Sequence, residues 1–225
     1  RAAPLAGRFC GNLNSMIDLL LKVVVAYLLG SVSGSMVMGA FRHVDIRESG
    51  SGNAGGTNAF RTQGFWFALG VVIIDIGKGA LAAGLLPAID IGLPGGQVGA
   101  AYQQLACGFA AVVGHCYPLW YGFRGGKGAA TAIGALAVIE PLVLVPMFIT
   151  WLIVLVITGW VGLGTMLAAV SLIPAFVLIG ASPPAVLFAI LLAGFIVFTH
   201  RSNIRNMLNG SENRFERMRI RNWFR

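Results

Sequence analysis

The sequence predicts an all-α polytopic membrane protein with seven transmembrane helices. Of its 225 residues, 57% are apolar and only 11% are charged, whereas a soluble domain carries about 25% charged residues. A local observation agrees with the composition. Between Ala129 and Thr199 the only Asp, Glu, Lys or Arg is Glu140. So long a run with a single charge requires several membrane spans.

The individual helices follow from the apolar segments, because a span needs roughly 20 apolar residues. The count depends on Glu140-Pro141, since proline disfavours helix at the preceding residue and lacks an amide proton. Without a break there the count would be six. With the break, the predicted helices are 17–41, 64–88, 98–121, 129–139, 142–158, 161–180 and 184–199.

The orientation follows from the positions of the basic residues. Loop 42–63 carries three arginines, loop 122–128 carries Arg124 and Lys127, and the segment from His200 onward carries seven arginines. The connections near 89–96 and 181–183 carry no Lys or Arg. The positive-inside rule therefore places the N-terminus outside and the C-terminus in the cytoplasm. Six helices would put the arginine-rich segment outside, against the rule.

One integral membrane domain is expected at 16–215, preceded by an extension of no assigned role (1–15) and followed by a basic tail (216–225). The three cysteines show no metal or disulfide spacing, and no acidic cluster suited to Mg²⁺ stands out. No metal or cofactor is therefore expected. The net charge of +8 resides in loops and the tail, so nucleic acid is not an expected partner, whereas membrane lipids are.

The first chemistry-bearing cluster runs from Gly50 to Arg61. It nearly spells a nucleotide P-loop, but Gly56 stands where the lysine belongs, so ATP hydrolysis is disfavoured. Consecutive glycine amides can form an anion nest, and Arg61 adds a planar fork for phosphate. The simpler alternative is a flexible turn loop. The candidate phosphate-binding residues are Ser51, Gly52, Asn53, Gly55, Gly56, Thr57, Asn58 and Arg61.

The second cluster, Arg124-Gly-Gly-Lys127-Gly128, opens a predicted helix. Helix N-termini favour anions through their amide groups and the helix dipole. Gly125, Gly126 and Lys127 are therefore expected to bind phosphate. The alternative is a breaker turn with a lysine that extends to the membrane surface.

The third group comprises Asp75 and Lys78, which share a helix face at i, i+3 spacing. A buried structural ion pair and a Lys78 that faces the site are equally compatible with the sequence. His115, at the end of the third helix, is expected to support the site.

The fourth cluster is His200-Arg-Ser-Asn203, directly after the last predicted helix. His200 titrates near neutral pH, and Asn203 offers both donor and acceptor atoms. The alternative is a charged stop after a span.

Together these clusters resemble the bacterial membrane acyl-phosphate:glycerol-3-phosphate acyltransferase family, in family order over residues 24–215. Gly56, Ser33 and Asn206 depart from the residues commonest in the family. The matching stretches are Asp45-Ile-Arg-Glu-Ser-Gly-Ser-Gly-Asn-Ala-Gly-Gly-Thr-Asn58 with Arg61, Asp75-x-x-Lys78-Gly, Gly114-His-x-Tyr-Pro118, Phe123-Arg-Gly-Gly-Lys-Gly-Ala-Ala-Thr131, and His200-Arg-x-Asn-Ile204 with Gly210-x-Glu212.

The resemblance implies a seven-helix enzyme of the bacterial cytoplasmic (inner) membrane whose site faces the cytoplasm. It would make 1-acyl-glycerol-3-phosphate (lysophosphatidic acid) from acyl phosphate and glycerol-3-phosphate, without acyl-CoA or acyl carrier protein as direct donor. The enzyme that produces acyl phosphate is a candidate partner. By motif, the residues that hold the substrates' phosphates would be Ser51, Arg61, Lys127, His200 and Asn203.

Two rival functions stay open at this point. A small-solute or phosphate transporter would also be a helical bundle with basic pockets, but it predicts polar residues on both faces of the membrane. A non-catalytic lipid-binding scaffold predicts tolerance of changes at His200 and Asn203.

Overall fold

The computed structural model describes residues 5–94 and 97–216, with side chains from residue 11 onward. Every regular element within these residues is helical. The chain divides into two compact units, unit 1 (residues 1–139) and unit 2 (residues 140–225). Residues 217–225, which make up all but the first residue of the predicted basic tail, lie outside the described residues. The single domain expected at 16–215 stays a prediction.

Unit 1 contains six α-helices and two short 3₁₀ turns among its described residues. The turns lie at Ile46–Glu48 and Leu119–Tyr121. They belong to the first loop (residues 43–55) and the second loop (residues 117–128). The α-helices are α1 (Leu5–Gly30), α2 (Gly34–Arg42), α3 (Gly56–Gln63), α4 (Phe65–Ala88), α5 (Ala100–Cys116) and α6 (Ala129–Ile139).

The described part of unit 2 has four α-helices. The chain leaves helical geometry at Glu140 and forms a 3₁₀ turn at Pro141–Val143, so the predicted break at Glu140-Pro141 is present. The helices are α7 (Leu144–Thr158), α8 (Val161–Leu178), α9 (Pro183–Thr199) and α10 (Arg201–Leu208).

Four described segments are long and apolar enough to cross a membrane: Gly11–Arg42, Phe65–Ala88, Pro141–Thr158 and Val161–Leu178. The pair of α9 and α10, bent by 51°, makes a fifth candidate. The prediction of an all-α membrane protein is thus confirmed for the described residues. The count of seven spans and the orientation of the termini stay predictions.

Two helix predictions were wrong in detail. The helix expected at 17–41 begins at Leu5, stops at Gly30 and resumes at Gly34. The backbone groups exposed by this interruption are bonded by α4, since Lys78 Nζ donates to Val32 O (2.7 Å) and Gly34 N donates to Asp75 Oδ1 (3.1 Å). The helix expected at 98–121 ends at Cys116, because Pro118 disfavours helical geometry at the residue before it.

Small residues let the helices of unit 1 pack closely. An added Cβ at Gly30 would clash with the backbone of Ala111 in α5, and one at Gly79 in α4 would clash with Thr131 O in α6. Residues later in α1 contact residues later in α5: Lys22 contacts Gln103, and Gly30 contacts Ala111. These two helices therefore run parallel.

Helix α4 runs in the opposite direction to α1 and α5. Lys78 contacts His115 near the end of α5, whereas Ala83, further along α4, lies beside Gly108, which is earlier in α5. The first loop precedes the start of α4, and the second loop follows the end of α5. Both loops consequently lie at the same end of unit 1. Lys78 lies level with the end of α5. The preceding part of α4, residues 65–77, therefore extends roughly 20 Å beyond that end, at 1.5 Å per residue.

Candidate active site

The first loop is organised around the buried side chain of Asn58 in α3. Its Nδ2 donates to Ile46 O (2.9 Å) and Ser49 O (3.1 Å), and its Oδ1 accepts from Ser51 N (2.9 Å). Gly50 has φ +61, and an added Cβ there would clash with Asn58 Oδ1. The sequence predicted that Asn58 binds phosphate; in the structure both of its donated bonds go to loop carbonyls. Asn58 holds the loop in shape.

The remaining residues of this cluster lie around the N-terminus of α3. Gly55 is its N-cap residue, and Gly56 and Thr57 begin its first turn, with Gly52 and Asn53 just before them. Ser51 and Arg61 are solvent-exposed, and Arg61 lies one turn after Thr57. Gly56 fits a close approach to α4, because an added Cβ would lie 2.6 Å from Val72 Cγ2.

The second loop folds back onto the last turn of α5. Gly125 N donates to Cys116 O (3.2 Å), and Gly126 N donates to His115 O (3.1 Å). These bonds satisfy carbonyls that a helix end leaves unpaired. An added Cβ at Gly125 would clash with His115 O, and one at Gly126 with the His115 ring. The two glycines thus serve close packing, and their amides, expected to bind phosphate, are paired with α5. They place half-buried Lys127 just before α6.

A buried ionic cluster lies beside the last turn of α5, on which the second loop packs. Lys78 Nζ is 2.8 Å from Asp75 Oδ1 and 2.9 Å from His115 Nδ1. With Val32 O, these atoms give the ammonium group three acceptors for its three hydrogens. His115 Nδ1 also lies 3.4 Å from Asp75 Oδ1, and its Nε2 faces Gly126. Of the two alternatives left open by the sequence, the structure has the buried ion pair.

The two loops also contact each other. Arg47 of the first loop donates from Nη1 to Tyr121 O and Arg124 O of the second loop, at 3.2 Å in each case. Residues 51–55 and Lys127 are therefore carried by two loops in direct contact, and Gly56–Asn58 follow the first of these loops in α3.

Unit 2 carries the two remaining predicted site residues. His200 is buried between α9 and α10, and its Nδ1 lies 2.8 Å from Ile196 O. A carbonyl only accepts, so Nδ1 carries the hydrogen, and in the neutral ring Nε2 is the acceptor. Asn203 Nδ2 donates to Glu212 Oε1 (2.7 Å). Gly162 of α8 lets Asn203 approach, because an added Cβ would lie 2.8 Å from its Nδ2.

Sequence reasoning assigned no role to Glu212 or Arg47. Glu212 could have been noticed from its place in the motif that follows His200, but nothing in the sequence pairs it with Asn203. Arg47 was noted only as a basic loop residue and as part of the first motif, since its contacts with the second loop lie 74 and 77 residues further along the chain.

Comparison with known proteins places these features in one family. The family model described as glycerol-3-phosphate acyltransferase matches residues 20–210. A glycerol-3-phosphate acyltransferase of Symbiobacterium thermophilum is 37% identical over 199 residues, which cover 88% of this chain and 96% of that protein. One of Bacillus cytotoxicus is 38% identical over 195 residues, covering 85% of this chain and 92% of that protein.

Solved structures agree with the sequence matches. The glycerol 3-phosphate form of PlsY (YgiH), an integral membrane glycerol 3-phosphate acyltransferase, superposes with a TM-score of 0.78 at 34% identity, covering 88% of this chain and 95% of that one. Its lysophosphatidic acid form gives a TM-score of 0.76. The family expected from the motifs is thereby confirmed: this chain belongs to the glycerol-3-phosphate acyltransferase family and is an integral membrane protein.

Proposed function

We propose that the protein transfers an acyl group from an acyl phosphate to glycerol-3-phosphate, giving 1-acyl-glycerol-3-phosphate and inorganic phosphate, the first step of phospholipid synthesis. The observation that carries the proposal is the likeness to a solved relative whose two forms are named for glycerol 3-phosphate and lysophosphatidic acid, an acceptor and a product of such a transfer. The contact between the two motif loops of unit 1 supports it.

The proposed topology has seven spans, with the N-terminus outside, the C-terminus in the cytoplasm and the site facing the cytoplasm of the bacterial inner membrane. The helix directions in unit 1 support it, because they bring both basic loops to one end. The positive-inside rule assigns such an end to the cytoplasm. There the site would meet glycerol-3-phosphate and the enzyme that produces acyl phosphate.

Two phosphate groups must be brought together in this reaction, and they repel each other. We assign Arg61 and Lys127 to offset that repulsion, with Ser51 and the Gly52–Thr57 stretch as further donors. Arg61 is exposed and lies in α3, which follows the first loop, and Lys127 is half-buried and lies in the second loop. Donors placed in advance around developing charge are the strongest general source of such stabilisation.

An acyl phosphate is already activated, so no covalent acyl-enzyme is needed. The C1 hydroxyl oxygen of glycerol-3-phosphate attacks the acyl carbonyl carbon, and the bond from that carbon to the phosphate oxygen breaks. The hydroxyl proton passes to a phosphoryl oxygen of the leaving phosphate. On the motif alone we assign His200 to that phosphate, where Nε2 would accept from the hydroxyl that the phosphate gains. Glu212 orients the amide of Asn203, to which it is bonded.

The role of His200 can be separated from that of a base. If His200→Gln kept most of the turnover with an unchanged pH profile, His200 would not be the base, in agreement with proton transfer to the phosphate. If the variant lost turnover without losing substrate binding, and its residual activity lost one limb of the pH profile, His200 would be the base and substrate-assisted proton transfer would be contradicted. The pH profile of kcat measured for both proteins decides between these outcomes.

One assay separates the proposed enzyme from its rivals. Purified protein receives acyl phosphate and glycerol-3-phosphate, and both phosphate release and lysophosphatidic acid are measured, with acyl-CoA and acyl carrier protein conjugates as alternative donors. The proposal expects stoichiometric products from acyl phosphate alone. Turnover with the other donors would overturn the donor assignment. Uptake of solute without product would indicate the transporter, and binding without either would indicate the scaffold.

A further inference from the structure

Arg47 is a loop arginine that has no role in the predicted site, yet it makes hydrogen bonds within the first loop and to the second loop. It lies in the 3₁₀ turn Ile46–Glu48, whose N-cap is Asp45. Asp45 Oδ1 accepts from Arg47 N (2.9 Å) and from Arg47 Nε (3.0 Å), and Asp45 Oδ2 accepts from Nη2 at 2.6 Å. The guanidinium is therefore oriented by its own loop.

The bond between these side chains keeps both of them charged. Arg47 holds the pKa of the Asp45 carboxyl below its usual value through the side-chain hydrogen bond, and Asp45 in turn raises the pKa of Arg47. The cation is thus locally neutralised, which makes it a poor partner for a substrate phosphate.

The third nitrogen of the guanidinium reaches the second loop. Nη1 donates to Tyr121 O and to Arg124 O, which lie before Gly125-Gly126-Lys127. On the other side, the carbonyl of Ile46, next to Arg47, accepts from Asn58. A lysine at position 47 would keep the charge but would lack the planar fork that bonds Asp45 and two carbonyls together.

We infer that Arg47, oriented by Asp45, is a positioning residue that fixes the distance between the loop of Ser51 and the loop of Lys127. It acts through the two loops and touches no substrate itself. The inference rests on the proposed function for the roles of Ser51 and Lys127. The coupling of one loop to the other through Arg47 does not depend on which reaction the protein catalyses.

The test uses the purified full chain and its variant Arg47→Lys, with Arg42→Lys as the matched control. Arg42 is an exposed arginine of the same unit at the end of α2, where its guanidinium lies over the Phe67 ring. Hydrogen–deuterium exchange is followed in peptides covering residues 117–128. Arg47→Lys should raise exchange there by at least about fivefold, since two hydrogen bonds to this loop are lost and each alone corresponds to roughly that factor, whereas Arg42→Lys should not.

Steady-state kinetics give the second readout. For Arg47→Lys the KM for glycerol-3-phosphate should rise roughly tenfold, as for a lost charge-assisted hydrogen bond, with kcat within about twofold. A merely structural role would reduce the amount of active protein and lower the apparent kcat at an unchanged KM. That kinetic result, or unchanged exchange in the second loop, overturns the inference.

A second variant covers the case in which Arg47→Lys does not fold. Asp45→Asn keeps the arginine but weakens its anchor, so a smaller rise in exchange at residues 117–128 is expected, and no rise contradicts the inference. Failure of the proposed function is distinguishable: a wild-type protein without acyl transfer would refute the reaction while the exchange result still decides the coupling.

Discussion

Unit 1 contains two buried aspartate–lysine pairs, and they differ in how completely they are bonded. Lys78 has three acceptors, namely Asp75, Val32 O and His115, and it lies beside the last turn of α5. Lys22 lies 3.1 Å from Asp18 Oδ2 and donates to Gln103 Oε1 (2.9 Å). Among the described residues, neither Asp18 oxygen has a hydrogen-bond partner in the protein, whereas Asp75 lacks one only at Oδ2.

The difference shows what each pair does. The Asp75–Lys78 pair bonds the backbone where α1 gives way to α2, and it bonds the histidine on which the second loop packs. The Asp18–Lys22 pair joins α1 to α5 through one glutamine and bonds no backbone group in the described residues. Similar residue pairs, one three and one four positions apart, therefore have unequal importance for the site.

The largest effect is expected from Lys78→Met. It leaves a buried carboxylate and the Val32 carbonyl without their cation, and breaking a buried pair in this way costs about 3–5 kcal/mol. Thermal unfolding of the purified protein, with the yield of folded protein, measures the loss. A stability close to that of wild type would contradict the assignment of Lys78 as the centre of this cluster.

Arg61→Ala and Lys127→Ala should leave the fold intact and impair catalysis. Each removes a charged partner of a phosphate, so we expect a loss of more than about 2 kcal/mol in transition-state stabilisation. The measurement is kcat/KM for acyl phosphate and for glycerol-3-phosphate, with Arg205→Ala, an exposed arginine of α10, as the control. Near-normal activity in both variants would refute the phosphate assignments.

Replacing both members of the Asp75–Lys78 pair should still destabilise the protein. Asp75→Leu with Lys78→Met removes both charges, but Val32 O and Gly34 N then lose their partners. Buried groups left unbonded cost about 1–3 kcal/mol each. Unfolding measurements should show this double variant to be less stable than the wild type; full recovery of stability would mean that the bonds to Val32 O and Gly34 N contribute little.

The smallest effect is expected from Asp18→Leu with Lys22→Met. Apolar replacement of a whole buried ion pair is often neutral or stabilising, and here no backbone bond is lost. Only the side-chain oxygen of Gln103 loses its donor, so we expect a loss at the low end of about 1–3 kcal/mol and unchanged kcat/KM. A loss as large as that of the Asp75 and Lys78 double variant would abolish the contrast between the two pairs.

The sequence predicted the helices well where apolar length alone decides them. Helices α4, α6 and α7 begin and end within two residues of their predicted limits. The break at Glu140-Pro141 was also predicted, because proline acts on its immediate neighbour. The i, i+3 pairing of Asp75 with Lys78 is a local pattern of the same kind.

What the sequence could not predict depends on contacts between distant residues. The interruption after Gly30 is bonded by residues 41 and 46 positions away, and Lys22 meets Gln103 across 81 positions. For the same reason the candidate site was predicted as a set of residue types rather than as bonds. The sequence could not show that Asn58 bonds its own loop or that the amides of Gly125 and Gly126 are paired with α5.

The interruption between α1 and α2 imposes an order on how unit 1 can assemble. An open carbonyl or amide within the hydrocarbon layer is costly, and its partners belong to α4, which is synthesised later. Until α4 has entered the bilayer, residues 31–34 gain by staying helical or by remaining near water. We therefore expect the N-terminal segment to reach its final shape only after a later helix has been inserted beside it.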